Sequence, residues 1–208
     1  MLRYSQGDIG RVSVVTPATV LPLTVAQIKK HLRIDHNEED DELGDWLATA
    51  IGEIEHPNGW LGRSLMPQRL KLTFDAPPPR VIALPGPPVT EVKTIKTRGA
   101  DDTITTIYNA DLAIDTIGLI TDYDAEPALI WPDDDIGWPS DIKTGPDSMQ
   151  IEYLAGYADA ASLPGPIRSW LYVRIGELYR DRERSMLNAT STRLSHVDRM
   201  LDNLRIRS

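Results

Sequence analysis

The hydrophobic positions change period along the chain: a three-four spacing near both ends, and a spacing of two between them. In "PLTVAQIKKHLRI", Val25, Ile28 and Leu32 fall on one side of a short helix, about two to three turns long. Thr24 stands where its hydroxyl can cap the first turn, and Gln27 completes a capping box. Leu23 and Ile28 are spaced for a hydrophobic staple. A longer stripe follows at Leu43, Trp46, Leu47, Ala50, Ile51 and Ile54. Asp40, Asp41 and Glu42 precede it, where negative charge favours a helix start, and Pro57, Asn58 and Gly59 end it.

From Met66 to Ala158 the pattern is that of strands. "QRLKLTF" sets Leu70, Leu72 and Phe74 opposite Arg69, Lys71 and Thr73, as a half-buried strand requires. Six of the 16 prolines crowd into "PPPRVIALPGPP", which forbids helix and central strand and reads as irregular edge and turn. "VTEVKTIKT", "DTITTIY" and "PALIW" predict short strands, and "SMQIEYLAGY" a last one with Met149, Ile151 and Tyr153 on one face. Turn signals at Gly99–Asp102, Asp133–Gly137 and Gly145–Asp147 separate them.

The three-four spacing then returns. Pro166 suits a first helical position, and Ile167, Trp170, Leu171, Ile175, Leu178 and Tyr179 form the apolar face. Gly176 interrupts it, which predicts a close approach by another backbone, the long second helix being the candidate. A final helix is expected in "ERSMLNATSTRLSHVDRMLDNLRIRS", with Leu194, Val197, Leu201 and Leu204 as a narrow seam and Arg193, Arg199 and Arg205 around it. That seam either folds back on the bundle or enters a groove of another protein. The elements predict an α+β protein, a helical bundle of about four helices with an inserted small antiparallel β module. As a single domain over 1–208, it divides into an N-terminal arm (1–22), a helical core (23–65 and 163–187), a β-rich insertion (66–158) and a C-terminal docking helix (188–208).

Charge sharpens this picture. The 208-residue chain has a formal net charge of −9, yet residues 163–208 hold nine arginines against five acids, a net of +4. The remainder holds 13 bases against 26 acids, a net of −13. Arginine pairs with carboxylates through a planar fork and is weakly hydrated, so an arginine-rich end on an acidic body suits docking to an acidic surface. Glu177, Asp181 and Glu183 could instead balance it within the helix. An acidic body repels DNA, since tight phosphate binding needs clustered cations. Such repulsion is useful where DNA must slide past without sticking.

Composition excludes little else. With 41% hydrophobic and 25% charged residues the chain reads as ordinary globular protein, and its lack of cysteine removes disulfides and thiolate metal sites. The start lacks the pattern of a signal peptide, and no apolar run approaches the ~20 residues of a membrane span, so a cytoplasmic soluble protein without a membrane partner is expected. There is no G-x-S-x-G, phosphate loop or H-E-x-x-H. His31, His36, His56 and His196 stand apart, and Asp133–Asp134–Asp135 lacks the alternation of a calcium loop. No catalytic, cofactor-binding or metal residue is therefore assigned, and no enzymatic activity is expected. Trp131 and Trp138 flank the triple acid, as a sugar platform or as a hydrophobic clasp on a loop.

The ordered set of motifs resembles the head–tail adaptor (connector) proteins of tailed phages and gene transfer agents. The features that carry it are Leu23–Thr24, then Lys30–His31–Leu32–Arg33–Ile34, the acid-rich Glu38–Glu42 and the helix Leu43–Glu55. "IEYLAGY" at 151–157, Pro164 or Pro166, and "LYRDRE" at 178–183 continue it, while "HPNGWLGRS" departs from the family's usual turn. The resemblance covers most of the chain, and is weakest over the β module and the last 25 or so residues. It implies a structural virion protein at the head–tail interface, assembled in the host cytoplasm as a dodecameric ring under the portal protein. Neighbouring adaptor copies, a neck or tail protein below and DNA passing through the channel without specific binding are the implied partners. Portal docking then falls to Arg193, Leu194, Val197, Arg199, Leu201, Leu204 and Arg205. Leu43, Trp46, Leu47, Ile51, Trp170, Leu171 and Leu178 serve subunit packing or the core. The alternatives are a carbohydrate-binding or host-recognition module built on Trp131 and Trp138, or another neck or tail-completion protein.

Overall fold

The computed structural model describes residues 10–184 and 195–206. Its contacts divide the chain into two compact units, Met1–Thr19 with Pro67–Gly156, and Val20–Met66 with Tyr157–Ser208.

The first unit is built from nine strands: β1 (Arg11–Thr16), β2 (Gln68–Phe74), β3 (Ile82–Leu84), β4 (Val89–Arg98), β5 (Ile104–Asn109), β6 (Ile114–Asp115), β7 (Ile120–Asp122), β8 (Ala128–Trp131) and β9 (Met149–Ala155). They form a six-stranded sheet of order β1-β2-β9-β4-β5-β6 and a three-stranded sheet of order β3-β8-β7, with every pairing antiparallel. The alternation of "QRLKLTF" becomes cross-strand rows. Leu70 faces Tyr153, which faces Val92, and Leu72 faces Ile151, which faces Ile95. All six side chains are buried, and with Leu84, Ile130 and Met149 they belong to one core. The Tyr153 hydroxyl meets the need of a buried polar atom by donating to the Pro85 carbonyl, 2.8 Å away. β3 emerges from the proline-rich segment as an edge strand, the one place in a sheet where missing N–H groups are tolerated.

The second unit holds α1 (Val25–Leu32), α2 (Asp40–Ile54), α3 (Gly165–Arg184) and a short α4 (Ser195–Asp198) that runs into a 3-10 turn over Arg199–Leu201. The capping box of α1 is formed: the Gln27 amide donates to Thr24 Oγ1 at 3.2 Å, and the Thr24 amide to Gln27 Oε1 at 2.8 Å. Leu23 and Ile28 are both buried, as the staple requires. α1 stops where Arg33 turns into the left-handed region at φ 61°. Leu43, Leu47, Ala50 and Ile54 of α2 and Ile167, Trp170, Leu171 and Ile175 of α3 are buried, while Trp46, Ile51 and Leu178 are half-buried at the border of this core.

These facts overturn the bundle of about four helices with a small β insertion. Among the described residues there are three helices of eight or more residues and nine strands in two antiparallel sheets, so the protein is mostly β. Part of the reason lies in β1, whose alternation at Val12 and Val14 is broken at Val15 by a shift of register. From the sequence that stretch reads as part of the N-terminal arm, 1–22. β3, β6 and β7 have only two or three residues, too few to show a period. Of the stretch expected to form the final helix, residues 185–194 lie outside the described residues, and over 195–206 only α4 and its 3-10 turn are helical, the rest going to competing partners. The Leu204 carbonyl accepts from Arg63 Nε, and the Ile206 amide donates to the Leu61 carbonyl at 3.0 Å, which draws the backbone off a helical path. Gly176 also differs from expectation. A Cβ there would meet Leu32 Cδ2 of α1 at 3.6 Å, so its neighbour is a side chain of the first helix and not the backbone of the second.

Candidate interaction surfaces

Two surfaces are built on the helical unit. The first is the end of the chain. Val197 and Leu201 are buried there, and Trp170 Nε1 donates to Asp198 Oδ1 at 3.1 Å. The Trp170 ring meets Trp60 edge to face with centroids 6.2 Å apart, and the Arg205 guanidinium lies 5.9 Å from the Trp60 ring centre, within cation–π reach. Of the residues assigned to docking, Val197 and Leu201 are thus held inside their own unit and Leu204 is half-buried, while Arg199 and Arg205 are exposed. Arg193 and Leu194 lie outside the described residues.

The second surface lies along α1 and α3. A groove of about 380 Å³ is lined by His31, Leu32, Tyr172, Gly176, Glu177 and Arg180, among others. His31 stacks on Tyr172 with centroids 4.8 Å apart, and Trp46 meets Tyr179 edge-on at 5.6 Å. Behind it, Arg174 locks α3 to α2. Its Nε donates to both Glu53 oxygens at 3.0 Å and its Nη2 to Glu53 Oε1 at 2.6 Å, while Nη1 reaches Glu177 at 3.1 Å. The hydrogen bonds to Glu53 raise the guanidinium's affinity for its proton. The Glu177 carboxylate in the groove is therefore already engaged.

Beside the tail, burial holds the His56 imidazole down at about 4, and its Nε2 is buried without a hydrogen bond. Burial also raises the neighbouring Glu55 carboxyl, although its Oε1 accepts from the Leu65 amide at 3.0 Å. His36 is exposed. Among the described residues no three of His, Asp and Glu gather as a metal site.

The β unit carries its charge differently. Residues 101–141 hold eleven acids and no lysine or arginine, a run visible in the sequence but hidden when charge is divided only at the last helices. Several of these carboxylates serve their own turns. Asp115 accepts from the Ile117 and Leu119 amides, Asp122 from Asp124 and Ala125, and Asp133 from Asp135. Others pair with cations: Asp102 with Lys143 at 2.7 Å, Asp111 with Lys93 at 3.2 Å, and Asp134 with Arg80. The Trp138 indole N–H donates to the Pro79 and Arg80 carbonyls at 3.1 and 2.9 Å, and its ring packs on the core. Trp138 is a clasp, with its polar edge spent on the backbone.

No family model matches the sequence, and no curated protein matches it. Solved structures do. The chain is similar to one in the neck of an empty GTA particle computed with C6 symmetry, with TM-score 0.71 and 19% identity over 95% of this chain and 96% of that one. It is similar to one in the neck of a native GTA particle computed with C12 symmetry, with TM-score 0.70 and 20% identity over the same shares. A chain of the virion of a native gene transfer agent particle matches with TM-score 0.69 and 18% identity, again over 95% and 96%. At these identities the likeness establishes the fold, and it runs nearly the full length of both chains.

Proposed function

We propose that this protein is a structural neck component of a tailed particle, with no enzymatic role, which forms a ring of twelve copies under the portal through which DNA passes. The observation that carries the reading is the full-length fold match to chains in GTA necks, one of them computed with C12 symmetry. Charge supports it. The β unit holds nine bases against sixteen acids, a net of −7, whereas the helical unit holds thirteen against fifteen. An acidic surface beside a threaded genome lowers the chance of sticking, because no counterions are released by contact. The exposed Arg199 and Arg205 are side chains that can meet the portal, since Val197 and Leu201 pack in their own unit.

Co-sedimentation with portal-bearing heads tests this assignment. The wild-type protein pellets with the heads, and R199E/R205E pellets roughly tenfold less, an effect expected for charge reversal at an interface. Equal pelleting of the two would remove the arginines from the contact. Failure of the wild type to pellet would refute the neck role.

A further inference from the structure

The β unit is acidic in sum but not on every face. Cross-strand pairing fixes which side chains stand on the polar face of its six-stranded sheet, the side turned away from the apolar rows. One row there runs Arg11, Thr73, Gln150, Lys96, and the next Ser13, Lys71, Glu152, Thr94. Arg69 and Glu91 fall in a third row, and Arg98 follows Lys96 on the same side. Of the unit's nine bases and sixteen acids, five and two thus stand on this face, which leaves four and fourteen elsewhere. Three of the five bases are already paired. Arg69 holds Glu152 at 2.8 Å, Arg11 reaches Asp75 at 3.0 Å, and Arg98 reaches Asp102 at 3.9 Å. Lys93 holds Glu91, the other acid of the face, at 2.8 Å. Among the described residues Lys71 and Lys96 enter no ion pair, and both are half-buried.

The opposite charge lies in the other layer. Ile82, Leu84, Ala128 and Ile130 of the three-stranded sheet share the core with the inner side of the six-stranded one. From its β8 the chain runs into "WPDDDIG", residues 131–137, where Asp134, Asp135 and Ile136 are exposed. Arg80 reaches Asp134, and Asp135 enters no ion pair among the described residues. We infer that the polar face of the six-stranded sheet receives the Asp133–Ile136 loop of a second copy of this chain, as the head-to-tail contact between neighbours, an inference that rests on the ring reading above. Charge complementarity names the occupant, two unpaired lysines meeting adjacent carboxylates. Lys71 and Lys96 are two strands and one two-residue step apart, roughly 12 Å between backbones, so their long side chains can grip such a loop from both sides. Gln150 stands between them, over a floor of the buried Thr73 and Thr94. Glu152, the carboxylate beside them, is taken by Arg69 and opposes an acidic guest less than a bare charge would. Duplex DNA fits less well, because phosphate binding needs clustered cations, and two unpaired lysines on a unit of net −7 are not such a cluster. Since the two surfaces differ and lie in different layers, the contact is heterologous. Repeated copies then form a chain of contacts that closes into a ring if the rotation fits.

The test uses full-length variants. K71E/K96E reverses the face and keeps the loop, and D134K/D135K reverses the loop and keeps the face. Circular dichroism first establishes that both are folded. Association is read by native mass spectrometry at low salt, and rings on portal-bearing heads by negative-stain imaging. Each variant alone should associate roughly tenfold or more weakly than wild type, because like charges then face each other. An equimolar mixture should recover association, with the two variants alternating. Because the chain has no cysteine, introduced thiols report the contact itself. Under oxidation Q150C mixed with I136C should give a disulfide-linked pair that neither variant gives alone. Undiminished association of either charge variant, or a mixture of Q150C and I136C that stays unlinked, overturns the contact. A gel shift of duplex DNA by wild type that K71E/K96E abolishes, with association unchanged, also overturns it and gives the face to nucleic acid. If wild type forms rings that both charge variants also form, the contact fails and the ring reading stands. If the linked pair forms while wild type leaves heads without rings, the ring reading fails and the contact stands.

Discussion

In the β unit, stability runs through continuous apolar rows: Leu70, Tyr153 and Val92 across three strands, and Leu72, Ile151 and Ile95 beside them. In the helical unit the apolar stripes are supplemented by polar locks between residues far apart in sequence. Arg174 grips Glu53, Arg63 holds the Leu204 carbonyl, and Asp198 accepts from Trp170. The contrast shows how each unit spends its charge. The β unit uses many of its carboxylates to tie its own turns, and its surface stays acidic. The helical unit uses a few charges internally and keeps Lys30, Arg33, Arg180, Arg199 and Arg205 exposed. A partner can therefore be held by the helical unit without giving the β unit affinity for nucleic acid.

Three substitutions break or sharpen this contrast. Trp170→Ala has the largest expected effect. It removes a ring only 1% exposed, its contact with Trp60 and its hydrogen bond to Asp198, at a cost of about 3–5 kcal/mol. Denaturant unfolding measures it, and hydrogen exchange should show the loss concentrated in α3 and residues 195–206. Arg174→Ala comes next, at about 2 kcal/mol, because half-buried Glu53 and Glu177 both lose their pairing with the guanidinium. Arg174→Lys should recover only part, since lysine cannot reproduce the fork.

The smallest effect is a pH dependence at His56. The unfolded imidazole takes up its proton near 6.5 and the folded one only near 4, so acidification through that window favours the unfolded chain. Glu55 acts in the opposite sense, because burial raises its carboxyl and acidification then favours the folded form. His56→Gln removes the first contribution alone. Its stability should fall less steeply than that of wild type between pH 7 and 4, read from denaturant midpoints.

The sequence showed features whose cause is local. The capping box at Thr24 and Gln27, the Leu70–Leu72 alternation and the edge strand among the prolines each follow from a few adjacent residues. Features decided by distant partners were not legible. Val197 and Leu201 are spaced as a helical seam, but only the folded chain shows them buried with the tail drawn off by Arg63, 141 residues before Leu204. Arg174 and Glu53 are 121 residues apart, and nothing in either neighbourhood marks them as a pair. Gly176 announced a close approach, but its neighbour is the Leu32 side chain of the first helix and not the second helix that the sequence suggests. The acidic run over 101–141 was visible throughout, but most of its residues sit in turns whose geometry explains them singly.

Imaging the protein mixed with its cognate portal-bearing heads tests the central claim most directly. The account predicts class averages with one added ring of twelve copies below the portal and an open central channel. Portals that remain bare, or single copies scattered over the capsid surface, would contradict it.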